Sequence, residues 1–249
     1  MPLRGGNPDP IRCQRQVTTV RLEANRICYR YPNAEGEVFN DLSLRIERPG
    51  FHALFGPSGV GKTTLARLLA GAIPGFAGAI ERDGIRQVLY TYNLERLPGW
   101  SSVRAHLDAV APSGARALLP ELIAVFGVEA PVDARFGSLS LGQQNRVNLI
   151  RYLLQDFELL VMDESLANVD EATRERIILK VKELFPGRAF LYISHNVTEV
   201  ARYCDQVLVL RGPSRSPQLV CLQGRDHRNG AHSDTAALER TVLEIVHAA

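Results

Sequence analysis

Gly56-Pro57-Ser58-Gly59-Val60-Gly61-Lys62-Thr63 matches the pattern G-x-x-x-x-G-K-[ST]. The run before it, Phe51-His52-Ala53-Leu54-Phe55, is short, apolar and bounded by Gly50 and Gly56, so it reads as a buried strand. The run after it, Thr64 to Ala70, has helical composition and stops at Gly71. Strand, glycine-rich turn and helix form the context in which this pattern binds phosphate. Gly56, Gly59 and Gly61 let the backbone curl so that successive N–H groups point inward, with Pro57, Ser58 and Val60 completing the loop. The helix N-terminus beyond them, entered through Thr64, adds partial positive charge. Lys62 is expected to reach the β- and γ-phosphates of a nucleotide, and the Thr63 hydroxyl to bind Mg²⁺.

Composition narrows the setting of this loop. The chain has 249 residues, enough for one large α/β domain with a small insert. Its formal net charge of +2 is close to balance, and it has no Lys/Arg tract, so no nucleic-acid partner is expected. Cys13, Cys28, Cys204 and Cys221 show neither C-x-x-C nor zinc spacing and read as reduced thiols. Residues 1 to about 16 are rich in Pro, Gly and Arg, are expected to be disordered, and lack the apolar core of a signal peptide. No run of 18 apolar residues exists to span a bilayer.

The remaining segments alternate. Strands are expected at Val17–Ala24, Arg26–Tyr31 and Glu37–Glu47, the last with Leu42, Leu44 and Ile46 on one face. Two short strands, Ala79–Arg82 and Gln87–Tyr92, flank the turn Asp83-Gly84. Ser101 to about Phe136 reads as a small helical insert, followed by a helix at Gly142–Gln155. Then come a strand at Glu158–Met162, a helix at Glu171–Phe185, a strand at Ala189–Ser194, a helix at Val197–Tyr203 and a strand at Gln206–Leu210. A strand-like Gln218–Gln223, a polar loop Gly224–Ser233 and a helix Thr235–His247 end the chain. The histidine-containing run Asp226–His232 reads as solvated loop, since no cysteine or carboxylate stands at ligand spacing beside it. An early run of strands followed by strand–helix alternation predicts an α/β fold with an antiparallel edge layer.

Two further motifs extend the phosphate loop. Leu159-Leu160-Val161-Met162-Asp163-Glu164 is an apolar strand ending in two carboxylates, at the sheet edge where α/β ligand sites lie. Asp163 is placed to hold Mg²⁺ and Glu164 to polarise the attacking water. In Leu139-Ser140-Leu141-Gly142-Gln143, Ser140 and Gly142 open a helix, so that a hydroxyl and free N–H groups face outward from a positive helix end, with Gln143 a further binding candidate. That is a second phosphate-binding surface.

These motifs resemble those of the ATP-binding-cassette (ABC) ATPases, and the resemblance covers about residues 18 to 212. Residues 56–63 resemble Walker A, Asp163 and Glu164 resemble Walker B and the catalytic glutamate, and Leu139–Gln143 resembles the LSGGQ signature with Leu141 in place of its first glycine. Tyr31 stands where the family has an aromatic that stacks on adenine, Ala167–Asp170 where the D-loop lies, and His195 where a histidine contacts the γ-phosphate. In the place of the Q-loop glutamine stands Asn93, one methylene shorter; Gln87 is the alternative, at the start of the same strand. The stretch around residues 83–115 is shorter than the family usually has.

The resemblance implies a P-loop NTPase core with an ABC-type antiparallel β layer and a short helical subdomain. It implies a single ATPase domain over 17–249, with the helical subdomain at about 101–155 and a C-terminal strand and helix at about 213–249. It further implies ATP and Mg²⁺ as ligands, and a head-to-tail dimer in which Lys62 of one copy and Ser140 of the other hold one ATP. The expected setting is the cytoplasmic face of a cell membrane, against transmembrane permease subunits, with a solute-binding protein in the same system. Leu97-Pro98-Gly99-Trp100 loosely resembles a tract in importers of nitrate, sulfonate or taurine. The rival readings are an exporter subunit, a soluble ABC ATPase acting on nucleic acid or ribosomes, and a regulatory ATP-binding module without turnover.

Overall fold

A computed structural model of the chain describes residues 20–93, 95, 99–230 and 234–249. The stretch 1–16 and the first residues of the Val17–Ala24 strand lie outside the described residues. Two expected strands, Val17–Ala24 and Arg26–Tyr31, are one in the structure: β1 (Arg21–Tyr29). Its register with β2 (Phe39–Ile46) shifts between Ala24 and Ile27, and Arg26 there takes the left-handed φ of 53°. A bulge of this kind absorbs one residue without ending the strand. In β2 the buried residues are Phe39, Leu42, Leu44 and Ile46, the half-buried alternation read from the sequence.

β3 (Gly50–Phe55) enters the phosphate loop and continues into α1 (Lys62–Leu69). β4 (Ala77–Asp83) pairs antiparallel with β1, giving a three-stranded sheet ordered β2-β1-β4. β5 (Val88–Tyr92) follows β4 closely in sequence yet belongs to another sheet. The two do not form the local pair that their turn invites. The crossing is pinned by Glu158, whose buried Oε2 accepts from the N–H groups of Arg86 and Gln87, each at 2.9 Å. A buried carboxylate with two backbone donors outcompetes a hairpin that would take those donors from its Oε2.

Next come α2 (Val103–Val110), α3 (Leu119–Phe126) and α4 (Leu141–Leu153), then β6 (Leu159–Asp163), α5 (Glu171–Leu184), β7 (Ala189–Ile193), α6 (Val197–Tyr203), β8 (Gln206–Leu210), β9 (Leu219–Gln223) and α7 (Thr235–Ala248). The second sheet is ordered β5-β6-β7-β3-β8-β9. Its strands are parallel except β9, which runs antiparallel to β8. Both faces of this sheet are covered, which is why its strands are apolar throughout rather than alternating. Leu54, Val161, Leu191 and Leu208 face the three-stranded sheet and α1. Ala53, Leu160, Met162 and Phe190 face the helices. Phe190 stacks on Phe51 at 4.5 Å and meets Phe157 edge-on at 5.8 Å. Truncating such a buried ring to Ala costs about 3–5 kcal/mol.

The expected polar loop after β9 is partly tethered. Lys182, on α5, donates to the carbonyls of Tyr203 and His227 and pairs with Asp226 at 2.6 Å. Arg225, Asp226 and His227 each donate a backbone N–H to α6 or the residue after it. Burial pulls the Lys182 ammonium below its usual range, while the Asp226 charge opposes that shift. A charge desolvated this far needs these partners, so residues 225–227 bind the core instead of water. His232 lies outside the described residues.

Candidate nucleotide site

Parallel pairing brings the C-terminal ends of β3, β5, β6 and β7 to one edge, where the loops that follow them meet. Between β3 and α1, residues 56–61 wind into a loop with Gly56, Gly59 and Gly61 all at positive φ. Gly56 is required twice over: its φ is 152°, and a Cβ there would lie 2.3 Å from the carbonyl oxygen of Leu210. The N-cap residue of α1 is Gly61, and no side chain caps the helix. Lys62 is buried, its Nζ donating to the carbonyls of Gly56 at 2.8 Å and Pro57 at 2.9 Å. Burial lowers its pKa, and the Glu164 and Asp163 charges oppose that. The ammonium is thereby held inside the loop that surrounds it, at the uncapped end of α1.

Asp163 closes β6 and is itself buried. Its Oδ2 accepts from Thr63 Oγ1 at 2.8 Å and from the Tyr90 hydroxyl at 2.9 Å. Burial and the Asp163 charge push the Tyr90 phenol pKa well up, so it remains a donor. Glu164 follows with a left-handed φ of 52°. A non-glycine residue there carries strain on the order of 1 kcal/mol or more, and such strain clusters at functional sites. Glu164 is fixed from both sides, its N–H donating to Ile193 and its carbonyl accepting from Ala167. Its Oε1 stands 2.5 Å from His195 Nε2, on the turn between β7 and α6.

Thr63, Asn93, Asp163 and Glu164 line one cleft of about 610 Å³, together with Arg67, Ala72, Tyr90 and Tyr92. Glu164 and His195 line a second of about 190 Å³. Asn93 lies at the cleft, whereas the backbone of Gln87 faces Glu158 at the opposite end of β5. The Asn93 side-chain carbonyl accepts from Asn145 Nδ2 at 2.8 Å. Tyr31 is half-exposed beside Tyr29, its hydroxyl 2.8 Å from Thr64 Oγ1. Ser140, Gly142 and Gln143 line neither cleft. At their end of α4 two N–H groups, those of Ser140 and Gln143, are bonded within the chain. Ser140 Oγ accepts from Gln143 N, and Gln143 Oε1 accepts from Ser140 N at 2.9 Å, a complete capping box. Gly142 is needed because a Cβ would lie 2.3 Å from the Asn168 carbonyl.

Several site residues were not singled out from the sequence. Tyr90 is one; the signal available was parallel pairing of β5 with β6, which sets Tyr92 opposite Asp163 and Tyr90 two residues back. Arg174 is another. It donates to Glu199 Oε2 at 2.8 Å and to the Val169 carbonyl, joining the 167–170 turn to the helix after His195. Tyr192, buried, also donates to Glu199.

The profile of the ABC transporter family matches residues 39–167, slightly over half of the chain, and spans the phosphate loop, the α4 start and both carboxylates. The chain belongs to the ABC transporter family. As a member it carries the family's ATP-binding ATPase domain. It is 34% identical over 181 residues to the molybdenum import ATP-binding protein ModC of Brucella abortus (strain 2308), covering 65% of this chain and 50% of that protein. It is 32% identical over 213 residues to the ribose import ATP-binding protein RbsA 2 of Burkholderia cenocepacia (strain HI2424), covering 76% of this chain and 42% of that one. The chain thus spans about half the length of the curated relatives it matches. In fold it is similar to a solved bacterial Atm1-family ABC exporter with ATP bound, at a TM-score of 0.70 and 19% identity, over 93% of this chain and 42% of that one. Among the described residues, no helix of this ABC family member is long and apolar enough to cross a membrane.

Proposed function

We propose that the chain hydrolyses ATP as the energy-coupling subunit of a bacterial importer of a small solute. The observation that carries this is the 2.8 Å bond between Thr63 Oγ1 and Asp163 Oδ2, which joins the phosphate loop to the carboxylate strand end. A hydroxyl and a carboxylate are the hard oxygen donors that Mg²⁺ takes, so the pair fits that ion, with Asn93 on the same cleft. When bound, Mg²⁺ neutralises charge on the transferring phosphoryl group. Residues 56–64 hold the phosphates, with Lys62 leaving its two carbonyl partners for phosphate oxygens. Glu164 accepts a proton from the attacking water, and His195 orients the Glu164 carboxylate until the γ-phosphate competes for its Nε2. Tyr31 supports the adenine.

Ser140, Gly142 and Gln143 act on the nucleotide of a second copy in a head-to-tail dimer, which accounts for their distance from both clefts. Closure on ATP and opening after hydrolysis move permease subunits at the cytoplasmic face of the membrane, fed by a solute-binding protein. The names of the two relatives speak of molybdenum and ribose, which supports import and leaves the solute to the other subunits. A nitrate, sulfonate or taurine class rests on the Trp100 tract, of which Leu97 and Pro98 lie outside the described residues.

The test is ATP turnover of Glu164→Gln. The amide keeps size and hydrogen bonding but cannot take a proton. Turnover is expected to fall on the order of 10²-fold or more while nucleotide binding persists. Normal steady-state turnover in the purified variant contradicts the assignment.

A further inference from the structure

Behind Asn93, which lines the cleft, a polar cluster joins the chain after β5 to α4, and the nucleotide reading leaves it unused. Glu95, two residues beyond Asn93, has only 14% of its side chain exposed. Among the described residues, the partners of its carboxylate come from α4. Asn148 Nδ2 donates to Oε2 at 2.9 Å, Tyr152 donates to both oxygens at 2.9 and 3.0 Å, and the Arg151 guanidinium pairs with Oε1. Asn145, on the same helix, donates to Asn93 at 2.8 Å and to the Ala167 carbonyl at 3.0 Å. Residues 145, 148, 151 and 152 stand at helical spacings of three, six and seven, so they share one face of α4. Asn148 is itself buried and reaches back to Thr91 Oγ1 on β5.

The consequence is mechanical. Two residues of backbone span at most about 7 Å. With Glu95 held by three side chains of one helix, Asn93 can move little relative to α4. The same helix begins at Ser140. We propose that Glu95 is a positioning residue for ATP hydrolysis: it fixes the chain after β5 to α4, so that Asn93 and the Ser140 end of α4 move as one piece. This rests on the reading of Asn93 as a site residue. It also gives the short Asn93 amide a fixed starting place, which a longer glutamine on a loose chain would lack. A partly buried carboxylate with charged and neutral donors is costly to disturb, because removing it strands the Arg151 charge. Burial and the Glu95 charge both raise the Tyr152 phenol pKa, keeping it a donor to the carboxylate.

The experiment is a double-mutant cycle on the full chain, reading kcat and KM for ATP and thermal stability together. Glu95→Ala should lower kcat by about tenfold, a modest share of what an ångström of misplacement costs, with KM changed less than about twofold. Asn93→Ala should lower kcat at least as much. Because Glu95 acts through Asn93, the double variant should be no slower than Asn93→Ala alone. Glu95→Gln, which keeps one acceptor, should recover part of the kcat. If Glu95→Ala does not fold, Tyr152→Phe and Asn148→Ala each remove one donor and carry the same cycle. Losses that multiply in the double variant, or an unchanged kcat in Glu95→Ala, overturn the proposal alone. Wild-type turnover in Asn93→Ala overturns the site reading of Asn93 and the proposal with it.

Discussion

The helices α1 and α4 both begin at the motifs that identify this chain, yet their first turns are finished in opposite ways. At α1 the N-cap is Gly61, with no side chain to satisfy the free N–H groups and a buried ammonium beside them. At α4 the N-cap is Ser140, and the capping box with Gln143 satisfies two donors within the chain itself. A helix start with glycine at its N-cap is less stable than a serine-capped one by only about a few tenths of a kcal/mol. The chain accepts that cost at α1, where a phosphate supplies the missing acceptors. It does not accept it at α4, where the expected phosphate comes only with a second copy. One end is built for its ligand in the single chain. The other caps itself, and on the proposed head-to-tail reading a partner's nucleotide would compete with Ser140 Oγ for the Gln143 N–H.

The widest break in this comparison should come from Lys62→Ala. It removes the buried ammonium at the open end, and nucleotide affinity measured by titration should fall by roughly 10- to 100-fold, the range of a hydrogen bond to a charged group. Unchanged affinity would mean that α1 is not the phosphate-binding end. Ser140→Ala addresses the closed end. Thermal or denaturant unfolding should show a loss of about 1 kcal/mol, the usual size for a lost cap, while nucleotide affinity of the isolated chain stays within twofold. A large loss of affinity in the isolated chain would place Ser140 in its own nucleotide site and erase the contrast. The smallest effect belongs to Tyr90→Phe. Tyr90 donates to Asp163 Oδ2, an oxygen that would also serve Mg²⁺ on the proposed reading. Its removal should lower the Mg²⁺ concentration for half-maximal turnover by about two- to threefold, as expected for one modest hydrogen bond. A rise instead would make Tyr90 a helper of the ion.

What could be read from the sequence divides along similar lines. The phosphate loop, the β6 carboxylates and the parallel core were legible because each is local: a glycine spacing, an apolar run, a helix period. β1 was read as two strands because Arg26 interrupts the alternation, and only pairing with β2 on one side and β4 on the other shows that the interruption is a bulge. The crossing from β4 to β5 depends on Glu158, some seventy residues away, and no window of sequence contains both. The same distance hid Tyr90, whose partner Asp163 is brought near by sheet order alone. At Ser140 the sequence supports both a phosphate surface and a helix cap, and only the structure shows the cap completed by Gln143.

The central claim is that the open end of α1 in one copy and the closed end of α4 in another meet over the same nucleotide. Its most direct test mixes two damaged chains. Ser140→Arg blocks the α4 end with a bulky cation and leaves the chain's own phosphate loop intact. Lys62→Ala does the reverse. In a head-to-tail dimer formed from one of each, one site carries both lesions and the other carries neither. The equimolar mixture is therefore predicted to hydrolyse ATP faster than either variant alone at the same total concentration. A mixture no more active than the better of the two variants would contradict the account.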